Sequence, residues 1–142
     1  MEAKKVLALL AAAALLAACS IFGNQGATAQ DGPCNQGVCK VGVTVQDCAR
    51  GALTADPDTI KVPAPNNIEW SMETDGFEFR DDSIVINGTG FPKNPGVNGN
   101  GKKYKVHDDW TDRRPDIKYS IQVWRKSDGV KCGLFDPRIS NM

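Results

Sequence analysis

Three cysteines set around one run of alternating valines constrain this chain more than anything else in it. In the stretch Cys34-Asn-Gln-Gly-Val-Cys39-Lys-Val-Gly-Val-Thr-Val-Gln-Asp-Cys48, the side chains of Cys39, Val41, Val43 and Val45 fall on one face, and Lys40, Gly42, Thr44 and Gln46 on the other. That alternation describes a half-buried β-strand. Cysteines lie before it, on its inward face and just past its end, so the stretch reads as a hub to which the rest of the chain is stapled. With Cys19 assigned to a leader, as argued below, Cys34, Cys39, Cys48 and Cys132 remain, an even number that predicts two disulfides in an oxidising compartment. Four cysteines allow three pairings and spacing does not choose among them; in each, Cys132 reaches back to the N-terminal cluster. A zinc site would need tightly spaced ligand pairs, and the chain has no C-x-x-C and one histidine.

Downstream, short extended segments alternate with turn signals. Asp56-Pro57-Asp58 is a turn before a strand around Ile60 and Val62, which stops at Pro63 and Pro65. Ile68, Trp70 and Met72 then alternate with Asn67, Glu69, Ser71 and Glu73, so Trp70 is assigned to the core. Thr74-Asp75-Gly76 turns the chain into Phe77 and Phe79, and Ser83-Ile84-Val85-Ile86 ends at the turn Asn87-Gly88. Residues 91–101 read as loop, rich in proline and glycine. Tyr104-Lys105-Val106 is extended, 107–114 is expected to form one helical turn, and Pro115 closes it. Ile117, Tyr119, Ile121 and Val123 alternate with Lys118, Ser120, Gln122 and Trp124, and Ser127-Asp128-Gly129 turns into the strand of Cys132. Trp110 and Trp124 fall on polar phases and are expected at the surface or an interface. The sum is seven or eight short strands and no helix after the leader, which predicts an all-β fold: a single antiparallel β-sandwich over residues 34–142.

The N-terminus carries its own message. Glu2, Lys4 and Lys5 precede an apolar run, Val6 to Ala18, that is too short to span a bilayer stably and reads as an export signal over residues 1–18. The run ends in Leu16-Ala17-Ala18-Cys19-Ser20, which closely resembles the lipobox of bacterial lipoproteins. That resemblance implies cleavage before Cys19 and lipidation of its thiol, and Ser20 after it implies delivery to the outer membrane. Each buried acyl methylene contributes about 0.8 kcal/mol, so several chains on one cysteine hold a domain on a membrane. The alternative is an ordinary secretory signal cut after Ala27-Thr28-Ala29, which releases a soluble protein. Residues 19–33 are small and polar and read as a flexible tether.

Charge directs the chain nowhere in particular. Without Glu2, Lys4 and Lys5 it carries 15 basic and 16 acidic residues, which gives no general pull toward nucleic acid. Residues 31–90 hold 4 Lys/Arg against 10 Asp/Glu and residues 91–142 hold 11 against 6, but strands of the two halves interleave in a sandwich and the asymmetry cancels in space.

The order of these features resembles a group of exported Gram-negative proteins of uncharacterised function with a cupredoxin-like sandwich. The matching features are the C-x-V-x-V-x-V strand, Ile68-Glu-Trp70, Gly76-Phe77-x-Phe79, Tyr119-x-Ile121-x-Val123 and the terminal Asp136-Pro137-Arg138-Ile139-Ser140-Asn141. The resemblance implies the fold over about residues 38–141. Electron-carrying cupredoxins bind copper through two histidines, a cysteine and usually a methionine. Here His107 stands alone, and Cys132 is followed by Gly-Leu-Phe-Asp-Pro, so a copper site complete within one chain is excluded on sequence.

Two further stretches suggest chemistry and fall short of it. Gly96-Val-Asn-Gly-Asn-Gly101-Lys102-Lys103 nearly spells a phosphate-binding loop, but Lys103 occupies the Ser/Thr position and no helix follows, so no nucleotide is expected. His107-Asp108-Asp109-Trp110-Thr111-Asp112-Arg113-Arg114 is the densest polar cluster; it could offer a base or, through Asp108, Asp109 and Asp112, oxygen ligands for calcium. It lacks a nucleophile motif and the calcium-loop spacing, and a solvated turn with local ion pairs accounts for it.

The expectation is therefore a lipid-anchored, non-catalytic binding module on the periplasmic side of an envelope, with no cofactor. Its partners would be the membrane, through Cys19, and an envelope protein, met through loops carrying Phe91, Lys102, Lys103, His107, Asp109 and Trp110. Two alternatives stand beside it: copper or redox handling at a site completed by another chain, and inhibition of an envelope hydrolase by a loop over residues 91–101.

Overall fold

The computed structural model describes residues 34–142; the stretches expected to be an export signal and a tether, with Cys19, fall outside the described residues. The described chain is all-β. Its strands are β1 (Cys34–Asn35), β2 (Val38–Asp47), β3 (Ala52–Asp56), β4 (Thr59–Val62), β5 (Asn66–Met72), β6 (Phe77–Glu78), β7 (Ile84–Ile86), β8 (Lys93–Asn98), β9 (Lys103–Asp108), β10 (Ile117–Arg125), β11 (Lys131–Phe135) and β12 (Arg138–Asn141). Twelve strands replace the seven or eight expected, because the segments of β1, β3, β8 and β12, which alternation did not single out, pair with neighbouring strands.

The hub forms as its sequence dictates. Gln36 and Gly37 both adopt positive φ (51° and 79°), the conformation a two-residue hairpin of matching twist requires. This sets Cys34 directly opposite Cys39, and the two are disulfide-bonded. Along β2, Cys39, Val41, Val43 and Val45 are buried while Lys40, Thr44 and Gln46 are exposed.

Around this strand a sheet runs in the order β1-β2-β5-β9-β8, with β3 also on β2; a second runs β11-β10-β12-β4, with β6 and β7 also on β10. The sheets are mixed and not antiparallel as expected. β2 pairs parallel with β5, from Val38 opposite Asn67 to Val43 opposite Met72, and β12 pairs parallel with β4. A parallel pair needs a crossover of a dozen or more residues. The chain between β2 and β5, which contains β3 and β4, supplies one.

One hydrophobic cluster draws on both sheets, with Val41, Val43, Ile68, Trp70 and Tyr104 from the first and Ile60, Ile117, Tyr119, Ile121 and Ile139 from the second. At its centre the Trp70 indole N–H donates to the Tyr119 hydroxyl at 3.3 Å, with ring centroids 5.5 Å apart. Burial pushes the Tyr119 phenol far above the ordinary tyrosine range, so it stays a hydroxyl. The second disulfide, Cys48–Cys132, ties the turn after β2 to β11 and so crosses from one sheet to the other. Beside it the backbones of Gly51 and Gly133 touch: a Cβ on Gly51 would lie 2.9 Å from the Gly133 Cα.

Three local expectations are corrected. Residues 91–101 are not a free loop, since β8 pairs with β9 and Gly99–Gly101 forms a short 3-10 turn. Pro95 is tolerated because β8 lies at the sheet edge, where its missing N–H breaks no ladder. No helical turn follows His107: His107 and Asp108 finish β9, and Trp110 takes φ +62°, outside the right-handed helical region. Trp124 is buried (8% exposed) although it sits on the polar phase of β10, because Arg80 and Lys131 lie over its ring at 5.2 and 5.9 Å.

Candidate functional site

The residues expected to form interaction loops do not gather in one place. Lys103 and His107 belong to strand β9 and not to loops, with Lys103 at its start and His107 near its end. A strand of that length separates its termini by about 17 Å. At the first end, Lys102 pairs with Asp75 at 3.0 Å, and Lys103 with Glu69 at 3.0 Å. Glu69 also meets Lys105 at 3.4 Å; burial pushes its carboxyl up, and the two lysines more than offset this and bring it below the usual value. These lysines pair with one exposed turn carboxylate, Asp75, and one buried carboxylate on β5, Glu69.

At the other end, Phe91, His107, Asp109 and Trp110 do come together, around a knot of three segments. The His107 N–H donates to the Pro92 carbonyl at 3.0 Å and the Asp109 N–H to the Gly90 carbonyl at 2.9 Å, which draws residues 90–92 against the end of β9. Asp109 Oδ1 accepts the Thr111 N–H at 3.0 Å and its hydroxyl at 2.8 Å. Gly90 must lack a side chain, since a Cβ there would run into the Asp109 carboxylate and the Thr111 hydroxyl, and its φ is +78°. Arg114 donates to both oxygens of Asp112, at 2.8 and 2.6 Å, and to the Asn87 carbonyl at 2.9 Å. The guanidinium holds the Asp112 carboxyl down to about 2. Phe91 is half-buried against the core. Trp110 packs there as well, donating its indole N–H to the Val62 carbonyl at 3.0 Å beneath the Arg113 guanidinium, 4.2 Å above the ring. In its Nδ1–H form His107 donates to Asn67 Oδ1 at 3.2 Å.

Two residues of the knot were not singled out as partners by sequence reading: Asp108, fully buried, and Asn141 of β12, whose Nδ2 donates to the Asp108 carboxylate at 3.3 Å and the Asp112 carbonyl at 2.7 Å. The usable signal was alternation, since Asp108 continues the inward phase of Tyr104 and Val106.

The donor sets narrow the chemistry. All four cysteines among the described residues are in disulfides, so none offers the thiolate that a blue-copper centre needs, and His107 has no second histidine beside it. A blue-copper centre does not fit these residues. Among the described residues no three His, Cys, Asp or Glu side chains are grouped to hold a metal. The segment expected to insert into a hydrolase cleft is largely the paired strand β8. Compared with protein-family models and with curated proteins, the chain matches none of them, so the functional reading rests on its own residues.

Proposed function

We propose that this protein is a lipid-anchored binding module on the periplasmic side of a Gram-negative envelope, a cupredoxin-like β-sandwich that meets a protein partner through the rigid loops around Asp109, Trp110 and Arg113. The observation that carries the reading is the pair of disulfides, one closing the first hairpin and one joining the two sheets. Such bonds form and persist in oxidising compartments. The apolar leader and Cys19 supply the route there, and residues 19–33 the tether. The arrangement of the polar cluster supports binding over turnover: the Asp112 carboxylate and the Arg114 guanidinium fasten the segment after β9 to residues 87–89, which preorganises a surface.

Intact-mass analysis of protein extracted from membranes tests the location. The expected mass is that of a chain beginning at acylated Cys19 and lacking four hydrogens, one pair per disulfide; an unacylated chain beginning at Gln30 overturns the anchor. A photo-cross-linking residue placed at exposed Arg113, with exposed Lys126 as control, tests the surface. Position 113 should yield a discrete envelope-protein adduct that position 126 does not; equal labelling from both, or none, overturns the assignment.

A further inference from the structure

Asp108 ends β9 fully buried, and only one of its carboxylate oxygens is matched. Oδ1 accepts the Trp110 N–H at 2.8 Å and Asn141 Nδ2 at 3.3 Å. Oδ2 has no partner, and neither does the side-chain oxygen of Asn141. The Asn141 amide cannot be turned to repair this, because Nδ2 also donates to the Asp112 carbonyl at 2.7 Å and a flip would set oxygen against two acceptors. A carboxyl group and an amide thus lie side by side, each with one buried unmatched acceptor. Buried polar atoms are almost always paired, and one hydrogen on Asp108 would pair both of these.

We propose that Asp108 is held as the neutral acid, its Oδ2 hydroxyl donating to the Asn141 side-chain oxygen while Asn141 Nδ2 donates back to Oδ1, so that a single proton locks the C-terminal strand onto the end of β9. The surroundings favour the protonated form. Burial is the largest influence and raises the carboxyl, and the Asp109 charge acts in the same sense; the Trp110 N–H, the Asn141 amide and His107 oppose them without prevailing. The other charges nearby are engaged or turned away: Asp112 is bound to Arg114, Arg113 lies on Trp110, and Glu69 faces the opposite side of β5 with Lys103 and Lys105. Lys61 of β4, Lys118 of β10 and Arg138 of β12 are exposed on outward phases.

The lock sits where β9, the segment after it and β12 meet, for the Asn141 N–H also donates to the Arg114 carbonyl at 3.1 Å. When the proton leaves to solvent, a carboxylate oxygen faces an amide oxygen and the last residues of β12 lose that tie. Asp108→Asn keeps the shape and replaces the hydroxyl donor by a permanent N–H donor.

Side-chain carboxyl carbon NMR of the oxidised protein, titrated from about pH 3 to about pH 9, reads the Asp108 proton against the ordinary aspartate range. The expected midpoint lies above the ordinary aspartate value of 3.8. Exchange of the Asn141 amide, corrected for intrinsic base catalysis, should step up through that midpoint in the wild type and show no such step in D108N. A midpoint at or below the ordinary value overturns the lock, as does a step that persists in D108N. Calcium chloride that raises the Tm of the wild type but not of D108N would also overturn it, by showing that these oxygens hold a cation. The wild-type midpoint decides the matter even if D108N does not fold.

Discussion

Removing Cys48–Cys132 should cost the domain about twice what removing Cys34–Cys39 costs, although both bonds involve a fully buried sulfur. The difference lies in the unfolded chain. The first bond closes a sequence separation of 84 and the second a separation of 5. If closure entropy grows with the logarithm of loop length, these separations give about 4.5 and about 2 kcal/mol at 25 °C. The folded state is disturbed similarly in the two cases. Cys39 and Cys132 are each 0% exposed, so alanine at either leaves a cavity of one sulfur. Native geometry at both sites is also held by other means: the Gly51 and Gly133 backbones stay in contact beside the long bridge, and the Gln36-Gly37 turn and the β2–β5 pairing fix the hairpin. A domain of this size has about 5–15 kcal/mol in total, so C48A/C132A sits near the edge of folding at body temperature while C34A/C39A does not. Equilibrium urea unfolding of the two double variants, with slopes compared to detect a change in the unfolded ensemble, measures this. Equal losses, or a larger loss for the hairpin pair, would refute the assignment of the stabilisation to the unfolded chain.

Three further outcomes follow from single contacts. Tyr119→Phe strands the buried Trp70 indole N–H without its acceptor and should lower stability by about 1–3 kcal/mol at unchanged slope in urea; no change in midpoint would show that the N–H finds another acceptor. Gly133→Ala drives a Cβ into the Gly51 backbone at a φ of +40° and should cost about 1–3 kcal/mol or more, whereas Gly76→Ala, at φ +82° with nothing within 4 Å, should cost less; melting temperatures of the pair test the ranking. Asp112 has a folded-state pKa of about 2 against an ordinary 3.8, so its contribution is complete above the unfolded value and is lost as pH falls from about 4 toward about 2. Arg114→Met should remove that part of the acid sensitivity, and a variant that loses as much Tm as the wild type across that interval would show that the pair does not supply it.

Alternation made most of the faces legible and almost none of the neighbours. β2, β5 and β10 bury the residues their period of two assigns, because a pleated strand with one face on the core leaves no other choice. The same pattern is silent on which strand lies alongside, so the parallel pairing of β2 with β5 could be reached only through the length of chain between them. Composition misled at residues 91–101, where proline and glycine describe an edge strand with a bulge between Lys93 and Gly96 as well as they describe a loop. Trp124 shows a different limit. Its phase points outward, as read, but the Arg80 and Lys131 side chains cover it, and nothing in the spacing of β10 reports what two distant residues lay over that face.

At the polar cluster the deciding variable is phase. Asp108 and Asp109 are adjacent and chemically identical, yet one is fully buried and the other exposed. β9 buries Tyr104, Val106 and then Asp108, and the strand ends there, so the next carboxylate leaves the ladder and folds over Gly90 and Thr111. A slip of one residue in the β5–β9 register would exchange their environments and turn Tyr104 and Val106 out of the core. The core aromatics therefore enforce the position of the buried acid, much as the Cys34–Cys39 hairpin enforces the register of β2. A cluster read from composition as one solvated turn is in fact divided by the sheet: Asp109, Asp112 and Arg114 fasten neighbouring loops, while Asp108 lies inside beside Asn141. The strand ends, where that division falls, are where function in this scaffold has to be sought.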